Sequence, residues 1–359
     1  MPQPDAPLPV DPDELAFERI RYAKDPATAV ATVTIARPEV LNCFDFRTLR
    51  ELGRAFEDAG WDDSVAVVVI TGQGDRAFCT GADLDEQAAM GATSGQYWRW
   101  MGAFIEMHDR LRSIGKPTIA RINGICVGGG QELQLACDLS VMVDDAYIRH
   151  VGPEHGSVPA GGATQWLPLV VGDRRAREIV MLCERIAPAQ ALEWGLVSRV
   201  VPRAALDQTV AGLAEQLRHK LPETMRYTKA QLNWWRDLVW SSTISHARDW
   251  LAVHSTSDET REAVAAFGEK RPPRFEELRS MQAAGGRACG RCGAVGLPAA
   301  HGFCGVCGSP LESAWESGAK ATTASCVSSE VECTASQSRA WLMVDDQTRS
   351  RHQFSCALV

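Results

Sequence analysis

Four stretches of this chain carry residues that could do chemistry. In "FCTGADL" (residues 78–84) and "INGICVGGGQEL" (residues 122–133), glycines follow apolar runs. Chemistry that passes through an enolate needs two N–H donors converging on one oxygen, in a site closed to water. Glycine lets backbone approach a ligand closely, and the first turn of a helix offers unpaired N–H groups at the positive end of its dipole. Glu132 falls in such a first turn, as a base beside the donors or as a charge placed for helix stability alone. The third stretch, "HVGPEHGSVPAGGATQ" (residues 150–165), sets one carboxylate, Glu154, among glycine, proline and small residues. His155 follows it, a proton carrier near neutral pH or a solvated loop histidine. The fourth stretch reads Cys289-x-x-Cys292, then Cys304-x-x-Cys307, with a glycine after each pair. Four thiolates at this spacing fit tetrahedral Zn²⁺ in a structural ribbon, and disulfides are the weaker reading in a cytosolic chain.

The elements that must position these groups follow from periodicity. "ATAVATVTIAR" and "VAVVVITG" predict strands, the second nearly continuously apolar and so buried on both faces. Between them, Leu49, Leu52 and Phe56 recur at helical spacing. A further helix is expected around residues 95–114, then a strand in "KPTIARING", a glycine turn into a helix at "GGGQELQLACD", and a strand in "LSVMVDDAYIRHVG". Strands alternating with helices indicate an α/β unit with repeated β-β-α crossovers. Residues 174–282 read as helical.

Composition narrows the classes. The chain has 359 residues, 45% hydrophobic and 23% charged, ample for a core. A net charge of -8 argues against a nucleic-acid or anionic-membrane surface. The first residues have neither a basic nor an apolar leader pattern, so no signal peptide is expected, and the purest apolar run, Val65 to Ile70, is too short to span a bilayer. A soluble cytoplasmic protein is expected. Of twelve cysteines, the five up to Cys183 read as reduced core residues. Residues 1–14 and 311–359 read as disordered, and the final Cys356-Ala-Leu-Val as a chance match to a prenylation box.

Six stretches resemble the crotonase (enoyl-CoA hydratase/isomerase) superfamily: "ARPEVLNCFD", "VVVITGQGDRAFCTGADL", "KPTIARINGICVGGGQELQLACD", "GGATQWLPLVVG", "AQALEWGLVSRVVP" and "EAVAAFGEKRPPRF". They span roughly residues 15–275. The resemblance implies a β-β-α superhelix with a helical C-terminal trimerisation region, a trimer or dimer of trimers, and an acyl-CoA thioester as ligand. It places the oxyanion hole on the Ala82 and Gly129 amides and coenzyme A near "RPEVLN", Arg37 to Asn42, with Asp83 and Gly152 beside the substrate. Hydratases of the family use two glutamates around one water. The first corresponds to Glu132. Laid without a gap on Gly156, Pro159, Thr164 and Gln165, the second falls on Gly152, two residues before Glu154.

That departure is similar to crotonases acting on cyclic acyl-CoAs, in words nearest to the ring-opening 6-oxocyclohex-1-ene-1-carbonyl-CoA hydrolases. The expectation is therefore a crotonase-fold domain over residues 15–282 and a zinc ribbon over 287–310 that docks a partner. The reaction expected is water addition to a cyclic enoyl-CoA, with hydrolytic ring opening as a second step. Glu132 would act on the water, Glu154 or His155 would assist, and volume freed at Gly152 would accept a ring. A conventional linear hydratase or isomerase, and a non-catalytic partner-binding protein, are the rival readings.

Overall fold

The computed structural model describes residues 15–90 and 93–283, with Arg291. The expectations for residues 1–14, for Cys289, Cys292, Cys304 and Cys307, and for the tail from 311 lie outside the described residues.

Ile20–Asp25 (β1) and Val30–Ile35 (β2) pair antiparallel, Ile20 opposite Ile35. Asp45 then caps Phe46–Trp61 (α1), accepting from the Thr48 N–H at 2.7 Å, and the helix buries Leu49, Leu52, Phe56 and Ala59. From here one unit recurs: a strand, a short second strand, then helix. Val67–Gly72 (β3) and Ala77–Cys79 (β4) lead to Leu84–Met90 (α2) and Ser94–Ser113 (α3). Thr118–Ile122 (β5) and Ile125–Val127 (β6) lead to Gly129–Ala136 (α4). Leu139–Val143 (β7) and Ile148–Arg149 (β8) lead to Ala163–Val171 (α5).

The first strands of these units extend the β1-β2 pair into a six-stranded sheet, β1-β2-β3-β5-β7-β9, finished by Arg199–Val201 (β9). The second strands form a parallel sheet of three, β4-β6-β8. This is the β-β-α superhelix expected from the sequence. Alternation along β3 divides the core as a strand buried on both faces requires. Val68 and Ile70 join the large cluster with α1 and α3, while Val67 and Val69 pack under Leu206, Val210 and Leu213.

The helical C-terminal region is present as Asp173–Leu182 (α6), Pro188–Glu193 (α7), Leu206–Arg218 (α8), Pro222–His254 (α9), Asp258–Gly268 (α10) and Phe275–Ala283 (α11). Three details differ from the sequence reading. β1 was not expected. β9 interrupts the region read as helical, and the strand read through residues 139–152 divides at Asp144 and Asp145 between the two sheets. The strands of the small sheet have two or three residues, too few to leave a period-2 signal. The five cysteines up to Cys183 are free and buried, as expected.

Candidate active site

The two glycine loops meet. After β4 the chain turns through Gly81 (φ +89°) into Ala82. The Phe44 N–H donates to Gly81 O at 2.9 Å and the Asp83 N–H to Phe44 O at 3.0 Å, so the bridge between Phe44 and Ala82 leaves the Ala82 N–H unused. Opposite, Gly128 (φ +56°) starts α4, and Gly129 as its first residue has no acceptor within the helix. A Cβ on Gly81 would lie 2.8 Å from Gly129 N, and one on Gly130 would lie 2.1 Å from Cys79 O. Side chains at these positions would force the loops apart. Two amides without partners thus line one cavity at the positive end of a helix.

Glu132 lies one turn further along α4, on the same cavity wall, and is 4% exposed. Its Oε1 accepts from the Gly161 N–H at 2.6 Å and the Ala163 N–H at 3.2 Å. Burial pushes this carboxyl up to about 7, although the two amides pull the other way. At neutral pH it can both accept and return a proton.

The third stretch is arranged differently from its reading. Glu154, expected to assist at the substrate, does not line the cavity: Arg149 Nη2 donates to both its oxygens at 2.8 Å. His155 does line the cavity, half-buried, with its ring edge-on to Phe267 of α10 at 5.3 Å. Burial holds its imidazole below the usual histidine range. Gly152 also stands on the wall, but a Cβ there would lie 2.8 Å from Ser157 O and 3.1 Å from Pro159 Cδ. The volume expected to be free at 152 is filled by the chain's own return.

The side chains of Arg37 and Asn42, in the segment expected near coenzyme A, hold the loop together. Arg37 Nη2 donates to Asp83 at 2.7 Å and its Nη1 to Cys43 O at 2.9 Å. The wholly buried Asn42 side chain donates to Gln73 O and Ala77 O and accepts from the Arg37 N–H. Glu39, Val40 and Leu41, between them in the chain, line the cavity. Asp83 reaches the cavity and caps α2, accepting from the Asp85 and Glu86 N–H groups.

The cavity encloses about 580 Å³, enough for an acyl group and its thioester. Tyr97, Trp100 and Phe104 form one wall, with the Trp100 and Phe104 rings stacked 5.6 Å apart at 14°. Their spacing along α3 marks one helical face, the signal by which the sequence could have offered them. Trp100 Nε1 donates to Glu86 at 2.9 Å, which fixes the indole. Among the described residues no group of histidine, cysteine or carboxylate side chains could hold a metal, and no helix is long and apolar enough to cross a membrane.

Comparison with known proteins agrees with this arrangement. Residues 25–279 match the enoyl-CoA hydratase/isomerase family. Among solved structures, an enoyl-CoA hydratase from Bacillus anthracis is similar at 30% identity and TM-score 0.58, over 71% of this chain and 98% of that one. An enoyl-CoA hydratase from Mycobacterium avium subsp. paratuberculosis is similar at 26% identity and TM-score 0.66, over 72% and 99%. An enoyl-CoA hydratase/isomerase from Pseudoalteromonas atlantica is similar at 26% identity and TM-score 0.64, over 72% and 100%.

Proposed function

The chain belongs to the enoyl-CoA hydratase/isomerase family, and from that premise we propose that it adds water to an α,β-unsaturated acyl-CoA thioester with a cyclic acyl group. The observation that carries the reading is the buried Glu132 carboxylate, raised to about 7, on one wall with the unpartnered Ala82 and Gly129 amides. Glu132 removes a proton from water as the water oxygen bonds to Cβ. The double-bond electrons move to the thioester oxygen, where the two amides stabilise the enolate. When the enolate collapses, Cα takes a proton, which the protonated Glu132 returns; one carboxyl group then suffices for both transfers. His155 is the auxiliary acid or base, and Asp83 and Gly152 contact the substrate. Glu154, held by Arg149, takes no part.

The cyclic acyl group is supported by the aromatic wall of Tyr97, Trp100 and Phe104. A linear hydratase would use Glu132 in the same way. Incubation with a panel of linear and cyclic enoyl-CoA thioesters, read by product mass, separates the two. Gain of one water by cyclic substrates supports the proposal, gain of a second marks ring opening, and rapid hydration of crotonyl-CoA with cyclic thioesters untouched overturns it.

Two further assignments accompany the fold. A homotrimer or dimer of trimers is supported by the exposed Leu232, Trp234, Trp235 and Leu238 on α9, which sedimentation would test. One structural zinc per chain on Cys289, Cys292, Cys304 and Cys307, in a ribbon that docks a partner, rests on their spacing. Elemental analysis of freshly reduced protein should find it, and its absence would remove the assignment.

A further inference from the structure

Beside Glu132 the cavity wall carries a histidine that the water chemistry does not use. His150 follows β8 and is 1% exposed, and its Nε2 lies 2.5 Å from Oε1 of Gln131, the residue before Glu132. An amide oxygen can only accept, so the ring proton sits on Nε2 and Nδ1 presents a lone pair. Burial pushes the imidazole down to about 4, which leaves the ring neutral at physiological pH.

Among the described residues Nδ1 has no hydrogen-bond partner, yet it is not among the sealed polar atoms as His108 Nε2 and Gln131 Nε2 are. His150 is one of the residues that line the cavity. An apolar group set against this nitrogen would strip its water and return nothing, whereas a donor would restore the hydrogen bond. Gln131 is itself wholly buried and belongs to the first turn of α4, so the ring is fixed relative to Glu132 and the Gly129 amide.

We propose that His150 is a specificity residue, accepting at Nδ1 a hydrogen bond from a hydroxyl on the acyl group, so that the preferred substrates are hydroxylated acyl-CoA thioesters. The proposal rests on the acyl-CoA reading above.

Its test uses saturated thioesters, which cannot react: cyclohexanecarbonyl-CoA, its ring-hydroxylated positional isomers and its ring-oxo analogues, each titrated into the wild-type protein. At least one hydroxylated isomer should bind about tenfold more tightly than the unsubstituted ring, the scale of one well-made neutral hydrogen bond. The oxo analogues, which lack a donor, should show no such gain. His150→Gln keeps a polar group near Nε2 and removes the one at Nδ1, so the preference should fall to about unity while the unsubstituted thioester still binds. His150→Asn sets an amide oxygen near the place of Nδ1 and should retain part of the preference. Equal binding of all the thioesters to wild type, tighter binding of an oxo analogue, or an undiminished preference in His150→Gln overturns the proposal and leaves the acyl-CoA reading intact. Failure of every thioester to bind overturns that reading and this one with it.

Discussion

Glu132 and Glu154 flank the same site in opposite circumstances. Glu132 is buried, accepts from two backbone amides, and among the described residues has no cation beside it. Glu154 is held by both oxygens to a guanidinium, with more than a third of its side chain exposed. Arg149 occupies both Glu154 oxygens at 2.8 Å. Glu132 has no such partner among the described residues; burial pushes its carboxyl up, and the amides offset the rise only in part, since it remains at about 7. A carboxylate becomes a useful base near neutrality when its compensation is incomplete.

The largest test of this contrast is on turnover. Glu132→Gln keeps shape and an acceptor but removes the base, so kcat should fall by ~10²–10⁴ while thioester binding persists. Glu154→Gln should lose less than about tenfold, since its group is not on the cavity wall. Equal losses in the two variants would erase the distinction.

A second test asks whether the raised carboxyl is the one that works. With a base titrating at about 7, kcat/KM should fall about tenfold per unit as pH drops below that value, because the protonated form cannot accept. Glu154→Gln should keep this limb. A profile flat down to pH 5 would assign the base elsewhere.

The contrast was only half legible in the sequence. The glycine turns at 81 and 128–130 and the place of Glu132 in the first turn of α4 are local matters, decided within a few residues by which backbone can approach which. The fate of Glu154 depends on Arg149, five residues earlier and across a turn, a spacing that matches neither the helical nor the strand period. The structural part that the Arg37 and Asn42 side chains play was hidden for a related reason. Their partners Asp83, Gln73 and Ala77 lie more than thirty residues away, where no local pattern reports them. Tyr97, Trp100 and Phe104 share one helical face, but nothing in their spacing says that it borders a cavity.

Stability should carry the same signature with smaller effect. A folded-state carboxyl at about 7 against an unfolded value of 4.5 means that the folded protein binds more protons between those values. The contribution is fully present below about 4.5 and is lost as pH rises through about 7, so at pH 8 the ionised Glu132 costs on the order of 3 kcal/mol. Glu132→Gln should therefore raise the melting temperature at pH 8 and change it little at pH 5. A variant less stable than wild type at pH 8 would contradict the uncompensated burial.

The smallest effect belongs to the Arg149–Glu154 pair. With side chains 29% and 37% exposed, the pair is partly solvated, and its attraction is offset by water and by the ordering of two long side chains. Glu154→Gln should cost only ~0.2–1 kcal/mol, the range of such pairs, and raising the salt concentration should shrink the difference. Arg149 also donates from Nε to Cys183 O at 2.5 Å, so it stays anchored when its carboxylate partner is neutralised. The turn that presents His155 should therefore survive, together with the edge contact to Phe267 and the hydrogen bond from Thr260 Oγ1 to Gly156 O at 3.2 Å. Thermal melts of wild type and Glu154→Gln at low and high salt measure this directly. A loss of several kcal/mol, unchanged by salt, would mean that Glu154 is held as tightly as Glu132, and the two carboxylates would differ by partner alone rather than by burial.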